Sequence, residues 1–225
     1  MSETYFYDPS KGHGLPHDPF KAIVAPRPIG WISTVSERGN VNLAPYSFFN
    51  AFVSNPPVVG FCSEGWKDSI RNVQRTREFV ANLAAHSLAD AVNLTSAPVG
   101  ASIDEMALAG LTPAPCVMVS VPRVAQSPAA LECRLLQIVQ LHDLQGVALP
   151  NFLALGQVVG VHLDTRFLRE GRFDTKAAEP IARGGYLGDY FTLGERFEMF
   201  RPSAEAALEH GRDAITLNRK VRSDG

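Results

Sequence analysis

The chain has 225 residues, 45% hydrophobic and 20% charged, with 21 basic and 23 acidic side chains giving a formal net charge of -2. Near-neutrality without a basic block excludes electrostatic capture of nucleic acid, and apolar runs such as 56–62 are too short to span a bilayer. This length can bury one sizeable core, and the polar, aromatic segment 1–14 lacks the apolar run of a secretory signal.

The first regular signal is "RPIGWISTVSERGNVNLAPYSFFN", Arg27 to Asn50. Ile29, Trp31, Ser33 and Val35 alternate with Gly30, Ile32 and Thr34; Glu-Arg-Gly-Asn supplies a turn; Val41 and Leu43 resume the alternation. This pattern predicts a β-hairpin. The period then dissolves into Ala-Pro-Tyr-Ser-Phe-Phe-Asn, where aromatics, hydroxyls and an amide crowd together as if to hold a flat, partly polar object. Next, "PPVVGFCS" predicts a buried strand, and "KDSIRNVQRTR" a helix capped by Asp68 or Ser69 with Ile70 and Val73 inward. "EFVANLA" predicts another strand. "HSLADAVNLTSA" spaces Leu88, Ala91, Val92 and Thr95 at helical intervals until Pro98 and Gly100 stop it. "ALECRLLQIVQL" and "NFLALGQVVGVHLD" predict two longer strands, separated by a loop containing Gly146 and Pro150. Short strands with hairpin connections and a few helices predict a mostly β fold, an antiparallel barrel with helical excursions. It reads as a single domain over residues 1–202, followed by a C-terminal helix and charged tail over 203–225.

No Walker loop, dinucleotide glycine fingerprint, nucleophile elbow or His-Glu-x-x-His motif is present. Cys62, Cys116 and Cys133 are widely separated in apolar runs, which predicts reduced core thiols in a cytoplasmic protein. His13 and His17 lie in a Gly/Pro-rich segment unsuited to the helix that would present them together to a metal. Asp104–Glu105 reads as a cap or an exposed face. What remains is a cofactor seat. Ser63, Lys67 and Ser69 surround the entry to a helix, whose first-turn N–H groups and positive dipole end attract a phosphate. The same residues also fit simple capping. Asp68 would repel a phosphate unless its side chain turns back onto the helix. Asn93 and Ser96, near the end of the following helix, suit either ligand contact or the last helical carbonyls. Trp31 also fits a core position with its N–H satisfied.

Taken in order, "RPIGWIST…NLAPYSFFNA", "PPVVGF…KDSIRN" and "NLTSAP", followed by "LAGLTP" and "ALECRL", resemble the flavin reductase family with the FMN-binding split-barrel fold. That family includes flavoredoxin-like proteins and the reductase components of two-component monooxygenases. The likeness runs from about Pro19 to Pro202. It implies a six-stranded antiparallel Greek-key split barrel, a homodimer, and FMN near the dimer interface. By the same resemblance, Tyr46, Ser47, Phe48, Phe49 and Asn50 would meet the isoalloxazine ring, and Ser33 and Thr34 would reach the ribityl-phosphate. Ser63, Lys67 and Ser69 would hold the phosphate itself, with Asn93 and Ser96 nearby. Gly184 and Gly185 would give a mobile loop carrying Tyr186 or Tyr190 over the ring. The implied activity is an NAD(P)H-dependent flavin reductase, in which NADH or NADPH delivers a hydride to flavin N5. Electrons would then pass to a partner monooxygenase, another acceptor or dioxygen. Two alternatives stay open: an FMN-bearing electron carrier without NAD(P)H activity, and a split-barrel binding or scaffold module lacking flavin.

Overall fold

The structure is a computed structural model and describes residues 3–211. Its main sheet has seven strands: β1 (Gly30–Val35), β2 (Val41–Tyr46), β3 (Phe49–Ser54), β4 (Pro57–Glu64), β5 (Glu78–Leu83), β6 (Ala129–His142) and β7 (Ala148–Leu163). Every pairing is antiparallel, in the order β2-β1-β5-β6-β7-β4-β3. β2 and β3 therefore stand at opposite edges, yet only Ser47 and Phe48 join them. That link spans about 10 Å at full stretch. A flat sheet with strands about 4.8 Å apart would hold its edges much farther apart, so this one must roll up. Packing follows the roll: the Tyr46 ring of β2 lies 4.7 Å from Phe61 of β4, which lies 5.4 Å from Phe79 of β5. β2 and β3 do not pair across the seam. The result is a mostly β split barrel with seven strands instead of six. The extra strand is β3, where Phe49 and Asn50 pair with Phe61 and Gly60.

The alternation in β1 sorts its side chains between two cores. Ile32 faces the inside of the roll with Phe61, Phe79 and Val158. Trp31 points outward, and with Leu43 it packs against Val92 and Met106 of the helices Ala89–Leu94 and Glu105–Leu108. Both faces of this strand are consequently buried. The helix Asp68–Thr76 turns Ile70 and Val73 into the inner core. Lys67 occupies its N-cap position; Asp68 and Ser69 fall in the first turn and cap nothing. Pro150 belongs to β7, so the connection from β6 is shorter than the sequence pattern indicates. Asp143 closes that turn by accepting the N–H groups of Gln145 and Val147.

The chain divides into two units after Leu193. In the second, Ser203 caps the helix Ala204–His210 by accepting the Ala206 N–H at 3.1 Å. The end of the charged tail lies outside the described residues. Among the described residues, no helix is long and apolar enough to cross a membrane.

Candidate functional site

A cleft of about 350 Å³ opens where the head of the 68–76 helix meets β2 and the turn after the 89–94 helix. Tyr46, Lys67, Ser69, Arg71, Thr95 and Ser96 line it. β2 contributes because it is an edge strand, which also explains how it tolerates Pro45: the missing N–H leaves no ladder bond unmade. Lys67 and Arg71 are four residues apart and share one side of the helix. The first three helical N–H groups have no partner within the helix, and no side chain caps them. Together with the positive dipole end they present donors to an anion. Asp68 does not spoil this arrangement, because Arg71 pairs with it.

A polar layer backs the cleft. The Asn42 amide donates to Ser69 Oγ at 3.0 Å and to Thr34 Oγ1 at 3.3 Å, and the Asn72 amide donates to Thr34 Oγ1 at 3.1 Å. Burial raises the pKa of Tyr46, against hydrogen bonds with Ser69 and Ser63 that lower it. Glu105 is no exposed face. It is buried, its carboxylate accepts the Leu43 N–H at 3.1 Å, and burial pushes its pKa up.

Of the residues singled out in the sequence, the cleft gathers Tyr46, Lys67, Ser69 and Ser96. The others are dispersed. Ser33 is sealed in the doubly covered β1, donating to the Pro122 carbonyl at 2.7 Å and accepting from the Asn82 amide at 3.2 Å. Thr34 is equally buried, one layer behind the cleft. Ser63 is sealed too, and its hydroxyl donates to the Gly65 carbonyl at 3.0 Å. Ser47 lines a second cleft, of about 640 Å³, with Lys21, Arg27 and Arg183. Phe48 is exposed, with the Arg27 guanidinium 5.8 Å from its ring centre. The Phe49 ring covers Gly30, where a Cβ would come within 2.5 Å of it. Asn50 accepts the N–H of Ala51. Asn93 lines a third cleft with His86 and Tyr190, while Ser96 donates to the Asn93 carbonyl at 2.6 Å. Trp31 is a core residue whose N–H donates to Thr95 Oγ1 at 2.9 Å.

Gly184 and Gly185 serve close packing. A Cβ on Gly185 would meet that of Ala22 at 2.4 Å, and one on Gly184 would meet that of Asp189 at 2.7 Å. Sequence reasoning missed Asn42 and Arg71, although both had a signal: Asn42 is two and four residues from Ala44 and Tyr46 on one strand face, and Arg71 is one helical turn from Lys67. At the far end of β6 and β7 the fold brings Cys116 beside Glu132 and His162. There the buried Glu132 accepts the N–H groups of Val117, Met118 and Val119 and bonds His162 Nε2 at 2.6 Å. Those four partners fill its acceptor positions, so it acts as a staple on the 117–119 segment. Burial, reinforced by Glu132, pushes the Cys116 thiol up to about 11.

The model of the flavin reductase like domain matches residues 24–176. The chain belongs to this family. It is 36% identical over 187 residues to an uncharacterized protein of Halalkalibacterium halodurans, covering 80% of this chain and 88% of that one. Among solved structures, nitrilotriacetate monooxygenase component B from Bacillus cereus superposes with a TM-score of 0.80 at 29% identity, over 88% of this chain and 100% of the other. An FMN-binding protein from Thermus thermophilus shares the fold at a TM-score of 0.65 and 21% identity, over 90% of this chain and 100% of that one. In this flavin-reductase-like chain the matched span contains the whole 68–76 cleft. Lys21 and Arg183, on the walls of the second cleft, fall outside it.

Proposed function

We propose that the protein is an FMN-binding, NAD(P)H-dependent flavin reductase that works as a homodimer. The observation carrying this reading is the uncapped head of the 68–76 helix, which faces a cleft with Lys67, Ser69 and Ser96 inside the family-matched span. Its donor set suits a phosphate monoester: the uncapped first-turn backbone N–H groups and one ammonium, with the nearby Asp68 carboxylate neutralised by Arg71. Ala44 to Tyr46, on the edge strand, add backbone polar groups and apolar surface of the kind an isoalloxazine ring needs. Bound FMN supplies the redox chemistry, with NADH or NADPH as the reductant. The chain's own part is to seat the phosphate, orient the ring along β2 and exclude water beneath it with the buried Tyr46. This explains why no paired acid and base is required at the cleft.

The dimer reading draws on apolar surface. Beyond its pairing with β5, the β6–β7 hairpin exposes Leu136, Val139, Leu141, Leu144 and Val147, and the edge strand β3 exposes Phe52 and Val53. Apolar area on that scale favours a protein partner. Likeness to a monooxygenase component B supports an oxygenase as recipient of the electrons. Steady-state oxidation of NADH and NADPH, with and without added FMN, tests the activity. FMN-dependent oxidation of either nucleotide supports it. A yellow protein that oxidises neither would be an electron carrier. A colourless one that leaves FMN fluorescence unchanged would be a flavin-free module.

A further inference from the structure

The second cleft carries charge that the fold does not balance. Arg27 is only 6% exposed, and its guanidinium bonds three backbone carbonyls: Lys21, Val24 at 2.8 Å and Gly184 at 2.7 Å. Its buried Nε has no partner. Arg183 likewise spends its donors on the carbonyls of Tyr186, Leu187 and Asp189, and stacks on the Tyr190 ring at 4.6 Å. Among the described residues, no ion pair involves Lys21, Arg27 or Arg183. Among the described residues, Asp18 is the one carboxylate on the cleft walls, and it accepts the Phe20 N–H at 2.9 Å; the Asp189 carboxylate, which does not line the cleft, accepts the Tyr186 N–H at 3.4 Å. A buried cation left without a counter-charge is costly, and a site that keeps three cations around one cavity is built for an anion.

The location limits what that anion can be. Tyr46 lines the first cleft and Ser47 the second, and adjacent Cα atoms are about 3.8 Å apart. The two clefts thus meet at the end of β2, at the Tyr46–Ser47 junction. We propose that the basic cleft formed by Lys21, Arg27 and Arg183 seats the pyrophosphate of the nicotinamide dinucleotide. Two adjoining phosphates match three cations around one carboxylate, and a cavity of about 640 Å³ leaves room for part of a nucleoside. The tight contact of Gly185 with Ala22 holds the 182–187 and 20–24 walls together, so the cations are pre-positioned before the ligand arrives. The identity of the ligand rests on the reductase reading; the presence of an anion site does not.

Titration calorimetry with inorganic pyrophosphate on the protein as purified separates the two. Wild type is expected to bind pyrophosphate more tightly than benzoate, whose single carboxylate cannot engage all three cations. Arg183→Gln should weaken pyrophosphate about tenfold, because it removes a full positive charge from the cleft wall where Arg183 is held by backbone carbonyls. The exposed Lys21→Gln should weaken it about threefold. The KM for NADH or NADPH should rise in the same order, with FMN affinity unchanged. If Arg183→Gln fails to fold, Lys21→Gln carries the test. Pyrophosphate binding that the variants weaken, in a protein that oxidises neither nucleotide, would keep the anion site and overturn the reductase reading. No pyrophosphate binding, equal affinity in wild type and variants, or preference for benzoate would overturn the proposal itself.

Discussion

Replacing Lys67 by alanine separates a phosphate seat from an ordinary helix start. Lys67 stands at the N-cap position without capping, and its side chain is exposed at the cleft. A charge-assisted hydrogen bond to phosphate contributes roughly 1.5–3 kcal/mol when shielded. Exposure and screening reduce this to about 1–2 kcal/mol, equivalent to about five- to thirtyfold in affinity. Riboflavin carries the same ring without phosphate, so its affinity should stay within about 0.5 kcal/mol of wild type. Arg71→Ala offers a second arm. It unmasks Asp68, which should weaken FMN further and leave riboflavin alone; Asp68→Asn in the same background should restore FMN. Fluorescence-quenching titrations of both flavins against the four proteins complete the cycle. Equal losses for FMN and riboflavin, or no loss for either, would refute the phosphate assignment.

Gly30→Ala should destabilise the fold by about 1–3 kcal/mol, because the new Cβ would drive Phe49 out of the core; urea denaturation checks this, and an unchanged midpoint would contradict it. Glu132→Gln should cost about 3 kcal/mol or more at neutral pH by breaking the buried carboxylate staple. Burial raises the Glu132 pKa, but the Val117 and Met118 N–H groups and His162 outweigh it and hold the carboxyl below 4.5. The stability it confers is therefore present above that pH and lost as pH falls through the lowered value. Stability curves of wild type and variant should converge in acid, and parallel curves would contradict the assignment. Light scattering of the FMN-bound protein should give about twice the 24.4 kDa of one chain; a monomer mass at micromolar concentration would retire the homodimer.

The hairpin, the buried fourth strand and the 68–76 helix were legible because each is a local pattern: period two, an apolar run, and Ile70 with Val73 one turn apart. What escaped was set by tertiary context. Ser33 and Ser63 look like ligand hydroxyls in one dimension, but the covering of both faces of β1 seals the first, and the Gly65 carbonyl takes up the second. Asp68 and Ser69 are good capping residues, yet Ser69 is drawn inward to Asn42 and Asp68 outward to Arg71, which leaves the helix head open. Glu105 reads as surface until the Leu43 N–H of an edge strand needs an acceptor. Paired glycines at 184–185 suggest mobility, whereas the space they leave is filled by Ala22 and Asp189. No local pattern could bring Arg27 and Arg183 together, since Arg27 and Pro28 meet Arg183 and Ala182 only through strand pairing.

A crystal structure of the protein grown with FMN tests the central claim most directly. The phosphate should lie within hydrogen-bonding distance of Lys67 Nζ and the first-turn N–H groups of the 68–76 helix, with the ring running along β2 toward Ser47. A phosphate seated instead among Lys21, Arg27 and Arg183, with the 68–76 helix head empty, would contradict it.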